Sequence, residues 1–229
     1  MKTVIVTGAS GNMGQAVVKK FLAMGFRVIG TIVPNDPVKI EIADANFEQE
    51  AVDLMNEEDA EKFVAAMASK YSDIEVVVLT VGGFATGKIA NTKSSDITKQ
   101  YKLNFETAYN VARPVFAHML EKKNGRIFLV GSRPGLSSTH SKGMVAYGLA
   151  KSLIFRLAEL LNDEAKGTNV VTSVIVPSTI DTAINRQSMP DADFSTWVKP
   201  ESIADAIYFY CTDEAEVLRE PVIKVYNKS

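Results

Sequence analysis

The sequence predicts an α/β fold, a doubly wound and mostly parallel β-sheet with helices on both faces. Short apolar runs rich in β-branched residues alternate along the chain with longer segments of helical spacing. The runs are continuously apolar rather than alternating, which is typical of strands that helices cover on both faces. Strands that alternate with helices form right-handed parallel units, so the pattern favours a doubly wound sheet.

Apolar runs and helical segments place the predicted elements along the chain. Strands are expected at 3–6, 28–33, 76–79, 127–130 and 170–176, and a final apolar run at 221–226 can add an edge strand. Helices are expected at about 12–24, 57–70, 96–121, 143–165 and 201–211. Because Pro and Gly fall between these elements and no repeat or low-complexity linker interrupts them, we predict one domain over residues 1–229.

Composition excludes several classes of protein. The chain has 229 residues, 25 basic and 27 acidic side chains and a formal net charge of −2. Near-neutral charge without a basic block disfavours a nucleic-acid partner. No apolar segment approaches the ~20 residues of a membrane span, and the first apolar run is too short for a signal peptide. The single cysteine cannot form an internal disulfide, and no Cys or His spacing indicates a metal site, so we expect a cytoplasmic protein without metal or membrane.

A glycine-rich turn joins the first predicted strand to the first predicted helix, with glycines at positions 8, 11 and 14. The first glycine permits a tight turn, the second lets backbone N–H groups approach a pyrophosphate, and the third lets helix and strand pack closely. The turn therefore predicts a dinucleotide site in a single-domain Rossmann fold. Its residues are Gly8, Ser10, Gly11, Asn12, Met13 and Gly14.

Four polar residues follow later strands, where a doubly wound sheet binds its ligands. Asn104 lies on the third long helix, Ser132 directly follows the fourth strand, and Tyr147 and Lys151 begin the next helix. Tyr147 and Lys151 share one helix face, so the ammonium can lower the phenol pKa from about 10. Tyr147 would then donate a proton to a carbonyl or imine, and Ser132 would hydrogen-bond the reacting heteroatom.

Together these motifs resemble the short-chain dehydrogenase/reductase family over nearly the whole chain. The resemblance implies NAD or NADP as cofactor and Asn104, Ser132, Tyr147 and Lys151 as the catalytic set. It also implies that Lys151 holds the nicotinamide ribose and that Asn104 supports a water relay behind Lys151. The further cofactor contacts that it implies are Asp53, Leu54, Val81, Gly82, Gly83, Pro177, Ile180 and Thr182.

The chain departs from the usual family pattern in three places. Asn12 replaces the middle glycine of the turn, Thr80 and Val81 precede the glycine pair where Asn-Asn-Ala-Gly is typical, and Ser178 replaces the glycine after Pro177. These departures concern local loop geometry, not the class of protein.

Two segments, 81–87 and 181–197, resemble the corresponding parts of the dihydropteridine reductases. The resemblance implies a substrate lid at about 178–200, lying over the nicotinamide. In such a lid three side chains would wall a flat bicyclic ring, and three others would contact substrate from neighbouring loops. The first three are Met189, Phe194 and Trp197, and the others are Phe84, Arg133 and His140.

The substrate stays open between alternatives. The dihydropteridine reductases of animals lack the serine and asparagine that this chain has at 132 and 104, so this pair favours a 3-oxoacyl or small-ketone carbonyl reductase. The 181–197 segment also fits an ordinary surface loop. A third alternative is a non-catalytic NAD(P) sensor, which the presence of both Tyr147 and Lys151 disfavours.

The choice between NAD and NADP also stays open. The second strand ends at residues 30–33 without the acid that binds a ribose 2′-hydroxyl or the arginine that binds a 2′-phosphate. Asp36 and Lys39 follow in a proline-bounded loop, where either can turn in toward the ribose, although each is expected to face solvent.

The helices near 96–121 and 143–165 carry apolar residues around much of their circumference. Such helices face the sheet on one side and a partner on the other. Family members pair through these helices, which implies a homodimer or homotetramer.

Overall fold

Parallel strands form a seven-stranded sheet in the computed structural model, which describes residues 1–38 and 40–228. The strands are β1 (Thr3–Thr7), β2 (Arg27–Ile32), β3 (Phe47–Ala51), β4 (Ile74–Leu79), β5 (Asn124–Val130), β6 (Asn169–Pro177) and β7 (Val222–Val225). Their order across the sheet is β3-β2-β1-β4-β5-β6-β7. The predicted doubly wound α/β fold is therefore confirmed.

Eight α-helices connect and cover these strands in the described part of the chain. They are α1 (Asn12–Ala23), α2 (Glu57–Lys70), α3 (Ser94–Tyr101), α4 (Thr107–Lys122), α5 (Arg133–Leu136), α6 (Val145–Glu164), α7 (Ala183–Ser188) and α8 (Pro200–Phe209). A π-helical turn, Lys102–Glu106, joins α3 to α4 without a break in helical backbone. The single long helix predicted at 96–121 is thus two α-helices around a π turn.

The sheet separates two hydrophobic cores. Ile5 packs in the core formed with α2, α4 and α6, whereas Val4 and Val6 pack in the core formed with α1 and α8. Since successive strand residues point to opposite faces, burial of both faces requires every position to be apolar. This explains why the strands are continuously apolar runs in the sequence.

Strand β3 was not predicted. It has the polar sequence Phe-Glu-Gln-Glu-Ala and pairs in register with β2, Val28 with Phe47 and Ile32 with Ala51. As an edge strand it buries little side-chain surface, so its sequence needs no apolar run. Backbone hydrogen bonds to β2, rather than burial of side chains, keep β3 in the sheet.

The connections diverge between β1 and β4, which are neighbours in the sheet. After β1 the chain crosses toward β2, and after β4 it crosses toward β5 on the other side. A crevice opens at such a switch point beyond the carboxyl ends of the strands. The fold therefore places the glycine turn and the loop after β4 on two sides of one crevice.

Candidate active site

A cavity of about 640 Å³ occupies the crevice between the β1 and β4 loops. It brings together seventeen of the residues predicted from sequence. They are Gly8, Ser10, Gly11, Asn12, Met13, Gly14, Asp53, Leu54, Val81, Gly82, Gly83, Phe84, Asn104, Tyr147, Lys151, Ile180 and Thr182. Motifs spread over more than 170 residues of sequence therefore line a single site.

The glycine turn has the geometry that a pyrophosphate site needs. Gly8 has a φ of +62°, and a Cβ at Gly14 would lie 2.2 Å from the Gly8 carbonyl oxygen, so α1 packs directly against the turn. Helix α1 begins at Asn12, and Gly11 before it has no side chain to cap the first N–H groups. Unpaired N–H groups at a helix N-terminus bind phosphate oxygens. The residues present fit a dinucleotide.

Thr80, one of the departures from the family pattern, ties the ends of β1 and β4 together. Its backbone N–H donates to Thr7 Oγ1 at 3.1 Å, and its own hydroxyl donates to the Thr7 carbonyl oxygen at 2.6 Å. This reciprocal pair keeps the two diverging loops at a fixed separation. The departure at position 80 thus leaves the crevice intact.

Asp36 lies in the cavity wall. The Ser10 hydroxyl donates to Asp36 Oδ2 at 2.6 Å, and the Val38 N–H donates to Oδ1 at 2.8 Å. These hydrogen bonds hold the pKa of Asp36 below its usual range. The hydrogen bond from Ser10 of the glycine turn thus turns the carboxylate toward the cavity, while the side chain stays accessible to solvent, as expected. Lys39 lies outside the described residues.

A buried asparagine that the sequence analysis missed holds the Asp53-Leu54 pair. Asn110 on α4 is 3% exposed, and its Nδ2 donates to the Leu54 carbonyl oxygen at 3.0 Å. The Met55 N–H in turn donates to Asp53 Oδ1 at 3.0 Å. The contact between Asn110 and Leu54 spans 56 residues of sequence, so no local pattern announces it.

Asn104 lies in the π turn and binds the backbone of the glycine pair. Its Oδ1 accepts from the Gly83 N–H at 3.1 Å, and its Nδ2 donates to the Gly83 carbonyl at 3.0 Å and to Gln100 Oε1 at 2.9 Å. A Cβ at Gly82 would lie 2.7 Å from Asn104 Oδ1 and 3.2 Å from Lys151 Nζ. Only glycine therefore fits at 82. The water relay assigned to Asn104 stays a prediction.

Lys151 is buried beneath the cavity floor. Its side chain is 4% exposed, and Nζ donates to the Val130 carbonyl oxygen at 2.7 Å. Burial lowers the pKa of Lys151 to about 8. Helix α5 packs flush on this segment, since a Cβ at Gly135 would lie 2.6 Å from the Lys151 carbonyl carbon. The ammonium is thus held in place by the backbone around it.

The Ser132 hydroxyl acts on the Tyr147 phenol. Burial raises the pKa of Tyr147, and the hydrogen bond with Ser132 lowers it by less. The expected lowering by Lys151 is not seen, because desolvation of the buried phenol dominates. Ser132 does not line the cavity directly; its Oγ also accepts from the Gly135 N–H at 3.3 Å and caps α5.

The two ends of the segment expected to be a lid are joined by backbone hydrogen bonds. The Asp181 N–H donates to the Val198 carbonyl at 2.8 Å, and the Val198 N–H donates to the Thr179 carbonyl at 2.9 Å. Between these two ends lie α7 and a short 3₁₀ turn at Phe194–Thr196. The segment therefore leaves and rejoins the fold at one place.

The aromatic residues expected around the substrate separate into two groups. Phe84 is 66% exposed and meets the Tyr147 ring edge-on at 5.2 Å, so it borders the reacting group. Trp197 is 6% exposed and lies 4.8 Å from Phe194, so its ring is buried within the segment and walls nothing. Trp197 therefore does not line the cavity here, and its predicted contact with substrate stays a prediction.

Five other predicted contacts lie away from the cavity lining. Met189 and Phe194 belong to the 181–197 segment, and His140 is exposed on a 3₁₀ turn. The Arg133 guanidinium lies 4.1 Å from the centre of the Tyr226 ring. Pro177 ends β6.

Comparison with known proteins decides the class of protein. Residues 2–193 match the model of the short chain dehydrogenase family. The chain belongs to this family. The short-chain dehydrogenase is therefore an oxidoreductase that uses NAD or NADP.

Two curated relatives span nearly its whole length. Dihydropteridine reductase from Dictyostelium discoideum is 28% identical over 235 residues, 100% of this chain and 96% of that protein. The 3-oxoacyl-(acyl-carrier-protein) reductase of Buchnera aphidicola subsp. Acyrthosiphon pisum is 23% identical over 227 residues, 95% of this chain and 92% of that protein. Both alternatives raised from the sequence are thus represented among its relatives.

Two solved structures share the fold. Aldohexose dehydrogenase of Thermoplasma acidophilum superposes with a TM-score of 0.84 at 21% identity, covering 98% of this chain and 92% of that one. The closed form of a serine dehydrogenase complexed with NADP⁺ superposes with a TM-score of 0.85 at 20% identity, covering 97% and 94%. At these identities the likeness concerns the fold.

Residues 1–38 and 40–228 contain no helix long and apolar enough to cross a bilayer. Within the same ranges, no group of three or more His, Cys, Asp or Glu side chains is placed to hold a metal ion.

Proposed function

We propose that this short-chain dehydrogenase reduces a small carbonyl or a quinonoid dihydropteridine with a reduced nicotinamide cofactor, using Tyr147 as proton donor. The observation that carries the proposal is the placement of Tyr147 in the wall of the cavity that the glycine turn also lines. A proton donor and a dinucleotide cradle in one cavity suit hydride transfer coupled to protonation.

The chain holds the cofactor by backbone at one end and by side chains at the other. The N–H groups at Asn12 and Met13 would bind the pyrophosphate, Leu54 would face the adenine, and Lys151 would bind the nicotinamide ribose. When bound, the reduced cofactor supplies a hydride to the substrate. Gly82 lets the Asn104 and Lys151 side chains approach the loop after β4 closely, since a Cβ at 82 would lie 2.7 Å from Asn104 Oδ1 and 3.2 Å from Lys151 Nζ.

Tyr147 suits a donor because its pKa is raised, which keeps the phenol protonated at neutral pH. Its proton passes to the substrate oxygen or nitrogen as negative charge develops there. Ser132, bonded to Tyr147, steadies that charge, and the Lys151 ammonium adds a positive field from below. We propose the same residues for the reverse reaction, with Tyr147 accepting the proton.

Two observations bear on the substrate. The exposed Phe84 ring beside Tyr147 offers an apolar edge to a flat acceptor, and this supports the dihydropteridine alternative. The complete set of Asn104, Ser132, Tyr147 and Lys151 supports a carbonyl substrate, whose oxygen must be polarised. Closure of the 178–200 segment over the acceptor belongs to the same proposal.

The test is steady-state oxidation of NADH and NADPH with freshly generated quinonoid dihydropterin, small ketones and 3-oxoacyl thioesters as acceptors. Each acceptor is run against the Tyr147→Phe variant as background. Turnover of one acceptor class well above that background would support the proposal and choose between its alternatives. Cofactor binding without turnover of any acceptor would favour a non-catalytic sensor.

Asp36 supports NADH as the preferred cofactor. Among the described residues that line the cavity, Lys151 alone is cationic, and its ammonium is bonded to Val130. A carboxylate accepts a hydrogen bond from a ribose 2′-hydroxyl and repels a 2′-phosphate. We expect Asp36→Asn, which keeps the shape and removes the charge, to shift the NADPH-to-NADH ratio of kcat/KM upward by about 10- to 100-fold.

Ser10→Ala is the matched control for this prediction. It removes the hydroxyl that donates to Asp36 and leaves the carboxylate charged. We expect a smaller change in the ratio with this variant. An unchanged ratio in Asp36→Asn would contradict the assignment of Asp36 to the 2′ position.

Exposed apolar side chains on two helices support a homodimer or homotetramer. Leu149, Leu153 and Leu160 of α6 are 50%, 39% and 47% exposed and lie along one face. The rings of Tyr101, Phe105 and Tyr109 stack along the α3–α4 helix next to it, at 5.3 and 5.9 Å. Leu153→Glu should dissociate the assembly in sedimentation, whereas Ser152→Glu, beside it on α6, serves as control.

We propose further that residues 1–229 act as one oxidoreductase domain in the cytoplasm. One sheet carries both the cofactor end and the catalytic end of the cavity. The single cysteine, Cys211, is free, which suits a reducing compartment.

A further inference from the structure

The last described residues of the chain run past the active site. Ser178, at the root of the 181–197 segment, binds this tail twice: its N–H donates to the Val225 carbonyl at 3.0 Å and its Oγ donates to the Tyr226 carbonyl at 2.9 Å. We call Tyr226 and Asn227 the C-terminal strap. The two strap side chains point to two different parts of the site.

Tyr226 contacts the catalytic serine turn. Its ring lies 4.1 Å from the guanidinium carbon of Arg133, the residue that follows Ser132. Ser132 caps α5, and Arg133 is the first residue of that helix. Stacking of a guanidinium on an aromatic face fixes the position of both groups. Tyr226 therefore restrains the turn that presents Ser132 to Tyr147.

Asn227 contacts the far end of the 181–197 segment. Its Nδ2 donates to the Trp197 carbonyl at 2.8 Å and to the Ser195 carbonyl at 3.1 Å. The residue has a φ of +51°, a conformation that asparagine adopts more readily than most residues. Both the side chain and the backbone at 227 thus suit a clamp on this segment.

We infer that Tyr226 and Asn227 are positioning residues that hold the Ser132 turn and the 181–197 segment in register across the substrate end of the cavity. Neither residue lines the cavity, so the strap acts through the elements that it binds. The inference rests on the proposed function for its effect on turnover. The physical link between the two elements rests on the contacts alone.

The two strap residues have separable kinetic effects. Tyr226→Leu loses the aromatic face and loosens Ser132, so kcat falls by about tenfold or more, within the roughly 10²-fold that a small misplacement costs. Asn227→Gly loses the amide and keeps the positive φ, so the KM for the acceptor rises with less change in kcat. Tyr226→Phe keeps the aromatic face and should restore kcat.

Cofactor binding provides an independent control. Titration of reduced nicotinamide fluorescence should show a much smaller change in the dissociation constant than in the kinetic parameters in all three variants, because the glycine turn, which would hold the pyrophosphate, contacts neither strap residue. A rise of the dissociation constant that matches the kinetic loss would indicate general unfolding and would overturn the inference.

Hydrogen exchange tests the strap without any turnover. Amides of 181–199 should exchange faster in Asn227→Gly, and those of 132–137 faster in Tyr226→Leu, while β1 and β4 stay protected. Faster exchange without turnover of any acceptor would leave the strap supported and the proposed function contradicted. Unchanged exchange in both segments would overturn the inference whatever the activity.

Discussion

Replacing Tyr147 with phenylalanine will lower kcat for the reduction by about 10²- to 10⁴-fold, the range that general acid catalysis contributes. The variant loses only the hydroxyl, and the phenylalanine ring keeps the edge-on contact with Phe84. Cofactor affinity should stay nearly unchanged, since the glycine turn supplies most of the binding. The measurement is steady-state kinetics beside a fluorescence titration of the reduced cofactor.

Ser132→Ala is the companion variant. It removes the hydrogen bond that lowers the pKa of Tyr147 but leaves the phenol proton in place. We therefore expect a smaller fall in kcat than in Tyr147→Phe. Full activity in Tyr147→Phe would disprove the assignment of the proton donor.

Lys151→Met will remove activity and stabilise the free protein. Loss of the ammonium should cost about 10²- to 10³-fold in kcat, as for other removed electrostatic contacts. Burial lowers the pKa of Lys151 from 10.5 to about 8, so the folded state bears a penalty for the charge at neutral pH. Part of this gain is offset because the variant loses the hydrogen bond to Val130. We expect the free energy of unfolding to rise by a net of about 1–3 kcal/mol, with Tm rising by roughly 2–4 °C per kcal/mol.

The pH dependence of stability tests whether the buried charge of Lys151 causes the stabilisation of Lys151→Met. Between pH 8 and 10.5 the unfolded chain keeps the proton on Lys151 while the folded protein loses it, so stability rises with pH in this window. Below pH 8 both states are protonated and the penalty is complete. The stability advantage of Lys151→Met should therefore shrink as pH rises from 8 to 10. A constant advantage would mean that packing, not charge, causes it.

Local motifs made much of the site predictable. The glycine turn needs only a strand, a tight turn and a helix in succession, and Tyr147 and Lys151 share a face because one helical turn separates them. The buried strands were visible because both of their faces are covered. These features depend on near neighbours in the chain, so the sequence pattern carries them.

Long-range contacts set the remaining geometry. Asn110 and Leu54, Thr80 and Thr7, and Ser10 and Asp36 are each joined by a hydrogen bond between residues far apart in sequence. Such contacts form only when the fold brings two elements together, and no periodicity reports them. Strand β3 was not predicted for a related reason. Its pairing with β2 keeps it in the sheet, and it has no run of apolar side chains that a sequence pattern would reveal.

By itself the sequence determined the class of fold, and it predicted the glycine turn and a catalytic set of four residues, because each of these patterns is encoded in local spacing. Only the tertiary structure decided the electrostatics: the pKa of Tyr147 is raised rather than lowered, because burial outweighs its hydrogen bond with Ser132. It also decided that Trp197 is buried and that Asp36 faces the cavity. Burial and charge environment depend on every element packed around a group, and spacing along the chain cannot specify them.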